Sequence, residues 1–247
     1  WFAPLSSISE TRMHPPRCRV RRWDRWIGLG GLVECRRRDP SPAIETKRGA
    51  AMAYRADLTA GALKLAESRV IAGLLLRGLS SQGWRTVIHG QNVLQTRSPA
   101  SATRLARLIR ARLERMDAEL WRLVADGDAM VATHALLAAA VKQSALLGDF
   151  LDLVVREQYK LFSERLSNSL WDHYLDDCRG RDPQMPEWQE STRKRLRSSV
   201  FQILTQAGYL RDTRSLKLQT VFIATEVIDY LKRHDEPYVL RCLLVSP

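Results

Sequence analysis

A mainly α-helical fold is what this 247-residue sequence predicts, on three observations. Apolar residues recur at helical spacing from Leu63 onward, the run Met130 to Val155 is apolar almost throughout, and strand-like composition is confined to the last 32 residues. The chain holds 39 Lys+Arg against 27 Asp+Glu, a formal +12, with 45% hydrophobic and 27% charged residues. That is globular composition, long enough for one domain or two small ones. No uncharged apolar run reaches the roughly 18 residues that cross a bilayer, so no membrane partner is expected. The positive surplus suits a polyanion, because Lys and Arg that neutralise phosphates release counterions whatever the base sequence.

Residues 1–51 stand apart. They hold 11 basic and 5 acidic residues, five of the ten prolines, and Trp1, Trp23 and Trp26, without sustained periodicity. An arginine-aromatic arm that stacks on bases is one reading of RCRVRRWDRW. A targeting peptide fits less well, since no apolar core follows the charges. A disordered leader or over-long gene start is the favoured expectation, with Met52 just ahead of the periodic region. Cys18, Cys35, Cys178 and Cys242 show no paired spacing, so no zinc site is expected and a reduced cytoplasmic protein is the simpler inference.

From Leu63 the stripe Leu63, Val70, Ile71, Leu74 and Leu75 predicts a helix over 63–79, with Arg69 and Arg77 in solvent. Trp84 to Leu94 reads as a weaker helix, because Val87, Ile88 and Gly90 lower its propensity. Ser98 can cap a third helix, and Pro99 suits its first position, so a helix is expected to run to about Met116. On it Leu105, Leu108, Ile109, Leu113 and Met116 share one face, with Thr103, Arg104, Arg107 and Arg110 opposite. A short helix, a turn and an arginine-faced longer helix predict a helix-turn-helix-like domain over 52–126. The same arginines also fit a plain solvated face.

Residues 127–247 predict a helical core. Lys142, Gln143, Asp149 and Asp152 interrupt the apolar run, which points to buried bundle helices jointed near Gly148, with His134 a satisfied core histidine. Leu166–Cys178 predicts a helix capped by Ser167 or Asn168, burying Leu170, Trp171, Tyr174 and Leu175. Its Asp172, His173, Asp176 and Asp177 have no second cluster facing them in sequence, so neither metal binding nor catalysis is expected. After a proline-bearing loop, Ser191–Gly208 predicts a helix with core stripe Leu196, Val200, Ile203, Leu204 and Ala207 and a glycine stop. Thr192, Arg193, Lys194, Arg195 and Arg197 crowd its start. Leu216–Ile223 and Tyr238–Val245 have strand composition, around a short helix at 226–233. Helix, glycine and strand pair predict a winged-helix-like unit with a small β-hairpin; a small closing unit with solubilising arginines fits equally.

No phosphate-cradling G-x-x-x-x-G-K-S/T, dinucleotide fingerprint, G-x-S-x-G or H-E-x-x-H occurs, so a non-enzyme without cofactors or metal is expected. The segments YRADLTAGALKLAESRVIAGLLL (54–76), QNVLQTRSPASATRLARLIRARL (91–113), LLGDFLDLVVREQY (146–159), CRGRDPQMPEW (178–188), STRKRLRSSVFQILTQAGYL (191–210) and YVLRCLLVSP (238–247) together resemble the BrxA family of bacteriophage-exclusion (BREX) defence systems. The resemblance spans nearly all of 52–247. It implies a small cytoplasmic, largely helical, DNA-binding component of a defence complex, despite an older description of such proteins as inner-membrane proteins. Double-stranded DNA and other BREX subunits are the expected partners, and Arg97, Thr103, Arg104, Arg107, Arg110, Thr192, Arg193, Lys194, Arg195 and Arg197 the expected DNA-binding residues. A scaffold whose basic faces meet acidic partner proteins is the alternative.

Overall fold

The computed structural model describes residues 54–58 and 62–247, and these are helical almost throughout. They lie within one compact unit, Arg48–Pro247. The expectations for residues 1–51 lie outside the described residues.

The first helix, α1 (Leu65–Leu76), buries Ile71, Ala72 and Leu74. Arg69, expected in solvent, donates instead to the Gly127 carbonyl at 2.7 Å. Next, α2 (Ser81–Arg85) is capped by Ser80, whose hydroxyl accepts from the Gly83 N–H, and it runs on into a π turn over Thr86–Gly90. A turn then leads to α3 (Pro99–Leu113), where Ser98 caps by accepting from the Ser101 N–H. The buried line of α3 passes through Ala102, Ala106, Ile109 and Leu113, while Leu105 is only half-buried. Alanines let the helix approach its neighbours closely, which turns its inner face away from the leucines.

Asp117 caps α4 (Ala118–Asp126), and Asp128 caps α5 (Ala129–Gln143), whose residues 134–141 are all buried. A second helix, α6 (Ala145–Lys160), departs at 109° to α5. The break falls at Ser144, not Gly148. Gly148 is small for a different reason: a Cβ there would come within 2.4 Å of the Tyr238 hydroxyl oxygen. No single helix among the described residues is long and apolar enough to cross a membrane.

Ser167 caps α7 (Asn168–Arg181), which continues three residues past the expected end at Cys178. Its Trp171 and Tyr174 meet Phe150 of α6 edge-on, with ring centroids 5.1 and 5.2 Å apart. The whole predicted core stripe of α8 (Glu190–Gln206) is buried, and Gly208 ends the helix at φ +88°, a conformation glycine adopts freely. Thr225–Arg233 forms α9 and Pro237–Leu243 forms α10.

The predicted β-hairpin does not form, because its second arm is α10. Pro237 presets the first helical φ, and Val239, Cys242 and Leu243 bury on one side. Tertiary packing overrides the strand propensity of YVLRCLLV. Of the first arm, only residues around Lys217 pair. Arg165 bridges Lys217 and Leu210 bridges Leu218, both antiparallel. Leu113, Trp171, Val200 and Leu204 are buried as their stripes predict, and so are Leu147 and Phe150 in the apolar run.

Candidate nucleic-acid interface

The outer face of α3 carries Arg104, Arg107 and Arg110, all exposed, with Thr103 half-buried beside them. The side chains of Arg104 and Arg107 have no ion pair or hydrogen bond among the described residues, and neither has that of Arg97, exposed just ahead of the helix. Arg110 is held in place: its Nε lies 2.6 Å from Glu114 Oε1, and its guanidinium sits 4.8 Å from the Trp84 ring centroid. Thr103 Oγ1 donates to the Pro99 carbonyl at 2.9 Å and lies 3.3 Å from His89 Nε2. Between α2, the π turn and α3 lies a half-open cleft of about 220 Å³ lined by Trp84, Arg85, Ile88, His89, Thr103, Ala106, Arg107 and Arg110. Arg85, exposed on α2, was not among the expected residues, although it follows Trp84 directly in the sequence.

One arginine of α3 faces the other way. Arg112 is 1% exposed, its Nε donates to Gln143 Oε1 at 3.4 Å, and burial pushes its pKa down to about 10 while Asp57 opposes that fall. It sits within the predicted apolar stripe of α3, at the angle of Leu105 and Ile109, so its burial was readable from the helical wheel.

At the second set the structure divides the expected residues. Arg193 Nη2 lies 3.1 Å from Asp176 Oδ1 and also donates to the Asp172 carbonyl, and Arg197 Nη1 lies 3.3 Å from Asp172 Oδ2. These two arginines clamp α8 to α7, and the carboxylates of α7 are their counter-charges. Thr192 is half-buried, and Lys194 lies 3.5 Å from Glu190. Arg195 is exposed and unpaired among the described residues. The outward face of α8 therefore reads Ser191, Lys194, Arg195, Ser198 and Gln202. No hydrogen bond or ion pair among the described residues links this face to that of α3.

His134 is buried, and its Nδ1 accepts from the Ala224 N–H at 3.1 Å. Among the described residues no cluster of three or more His, Cys, Asp or Glu side chains could hold a metal ion. Cys178 and Cys242 are buried thiols, and burial raises the pKa of both.

Compared with known proteins, the chain matches the family model described as BrxA over residues 52–235. It is 51% identical over 193 residues to the protein named BREX protein BrxA from Paramagnetospirillum magneticum, covering 78% of this chain and 97% of that protein. With the Escherichia coli protein of the same name it shares 33% identity over 181 residues, covering 73% of this chain and 85% of that one. A crystal structure of an uncharacterized protein from Magnetospirillum magneticum is similar with a TM-score of 0.73 at 49% identity, covering 78% of this chain and 99% of that chain.

Proposed function

Because this chain belongs to the BrxA family, we propose that it serves a BREX phage-defence system as a non-catalytic, cytoplasmic accessory protein that binds double-stranded DNA. The observation that carries the reading is the outward face of α3, where Arg104 and Arg107 stand exposed without a counter-charge among the described residues. The helix follows a short helix and a turn, the order in which a helix-turn-helix presents its second helix to the major groove. Long donors on such a face reach phosphates and base edges, and Arg85 and Arg97 widen the cationic surface. The polar outward face of α8 is a second contact. Its Arg195, Ser198 and Gln202 are the residue types that pair with base edges.

Titrating a labelled duplex at several salt concentrations tests this. Arg104→Ala with Arg107→Ala is expected to weaken binding to all sequences and to lower the salt slope by about one unit for each phosphate no longer neutralised. Arg110→Ala should add less, because Arg110 is already paired. An unchanged slope in the double variant would remove the α3 face from the interface.

The scaffold reading draws on Phe162 and Phe222, two large side chains 92% and 79% exposed and free to meet a protein partner. A protein surface for other BREX subunits at these residues is compatible with DNA on the arginine faces.

A further inference from the structure

We infer that the short turn after α8, with the segment that precedes α7, forms a phosphate-binding element. The inference rests on the DNA-binding reading and adds a contact surface to it. Four backbone hydrogen bonds define the element. Leu166 N–H donates to the Leu216 carbonyl and Leu218 N–H to the Glu164 carbonyl, both at 2.9 Å. Arg211 N–H donates to the Lys217 carbonyl at 2.9 Å and Gln219 N–H to the Tyr209 carbonyl at 3.0 Å. Three short segments therefore lie side by side, with 216–218 in the middle.

This register dictates which side chains share a face. Arg165 lies opposite Lys217 on one side, and Arg211 lies opposite Lys217 on the other, so three cations form one row across the segments. Neighbours in such a row have Cβ atoms about 5 Å apart, and like charges placed so are destabilising. All three are exposed, and none has an ion pair among the described residues. The alternate positions Leu166, Leu210 and Leu216 are buried, so the alternation anchors the cations outward; Glu164 falls on the leucine side of the register. Arg214 adds a fourth unpaired cation, among the described residues, in the turn itself.

The one carboxylate of the turn, Asp212, makes no ion pair with the row among the described residues, although the charge of Arg211 helps keep it ionised. Asp212 Oδ1 accepts from the N–H groups of Arg214 and Ser215 at 2.8 and 2.7 Å, and its Oδ2 accepts from the Ser215 hydroxyl at 2.7 Å. These bonds lower its pKa and fix the turn. The turn thus gathers four cations, Arg165, Arg211, Arg214 and Lys217, around a single ionised carboxylate that offsets their repulsion only in part. A row of three spans about 10 Å, over which duplex DNA presents several phosphates, so a polyanion removes the repulsion that the fold imposes. A nucleic-acid backbone suits the element better than an acidic protein, because the turn leaves directly from the end of α8, whose outward face has base-reading side chains.

The test compares the full chain, the Arg211→Ala/Arg214→Ala/Lys217→Ala variant and the Arg104→Ala/Arg107→Ala variant, each titrated with a labelled duplex across a salt series. Urea unfolding of each is followed in parallel. The turn variant is expected to bind roughly tenfold or more weakly, to lose about two to three units of salt slope, and to unfold at the same or higher urea concentration than the parent. Lysine in place of Arg211 and Arg214 should restore most of the binding. If the turn variant binds as the parent does while the α3 variant fails, the turn does not touch DNA and the DNA reading stands. If the parent itself shows no salt-dependent binding, the DNA reading fails and this element with it. A turn variant that unfolds earlier than the parent would show that the row serves the fold, which also overturns the proposal.

Discussion

His134 shows what a single buried titratable group does to this fold. Burial is the main reason its pKa lies below the usual imidazole value, offset in part by a bond to the Ala207 carbonyl and by the charge of Asp128. In the unfolded chain the ring protonates at about pH 6.5, whereas in the folded chain it resists. The stability it contributes is therefore present above that pH and lost as pH falls through the folded value. The urea midpoint of the parent is expected to drop between pH 7.5 and pH 5.5. His134→Leu should be less stable than the parent at pH 7.5 by about 1–2 kcal/mol, since the Ala224 N–H loses its acceptor, and should show a smaller drop on acidification. Equal drops in both proteins would assign the effect to other groups. That His134 belongs to the core was legible, because it lies in an apolar run. The partner of Arg112 was not, because Asp57 lies 55 residues upstream and only the folded chain brings it close.

Elements were legible where the pattern was local. The cap and proline of α3 and the stripe and glycine stop of α8 appear as the periodicity required, whereas the buried face of α3 turns toward Ala102 and Ala106 and leaves Leu105 and Leu108 half-buried. Two features depended on distant parts of the chain. The helix α10 forms from a strand-like sequence because its apolar side closes against α5 and α6, and Tyr209 donates to the Leu243 carbonyl at 2.6 Å. Likewise, the arginines that open α8 looked alike in sequence, but α7 takes two of them. Arg193 and Arg197 have side chains only 20% exposed, against Asp176 and Asp172. Replacing either with Ala is expected to cost about 1 kcal/mol of stability, read from the urea midpoint, through the broken pair and the packing of its aliphatic stem. Lys194→Ala with Arg195→Ala should leave stability within about 0.5 kcal/mol and weaken duplex binding. The reverse assignment, with binding following Arg193 and Arg197 and stability following Lys194 and Arg195, would place the DNA face of α8 on the wrong side.

At the scale of the whole molecule the question is whether the part bearing the α3 face and the part bearing the α8 face unfold separately, as a division near residue 126 would suggest. The bonds that cross this division argue against it. The N–H of Leu63, at the start of α1, donates to Gln206 Oε1 at the end of α8 over 2.8 Å. Tyr54 donates to Asp149 at 2.6 Å, and Ser144 donates to Asp57 at 2.7 Å, so the first described residues are fastened to the start of α6. Glu119 of α4 pairs with Arg233 of α9 at 2.6 Å and lies 2.9 Å from His234. Between these ties α4 packs on α1 and on α5 alike, with Leu120 and Val124 fully buried. Opening either half alone would expose the apolar surface of α4 or α5 and deprive Asp149 of its Tyr54 donor, at a cost close to that of unfolding everything. Hydrogen exchange on the full chain at increasing urea is expected to show the slowest amides of α3, α5 and α8 converging on one opening free energy. Ser144→Ala and Tyr54→Phe should lower that common value together, by about 1 kcal/mol each. Separate plateaus for α3 and α8, or a variant that loosens one and spares the other, would show two independent units and would free the two arginine faces to bind DNA at separate sites.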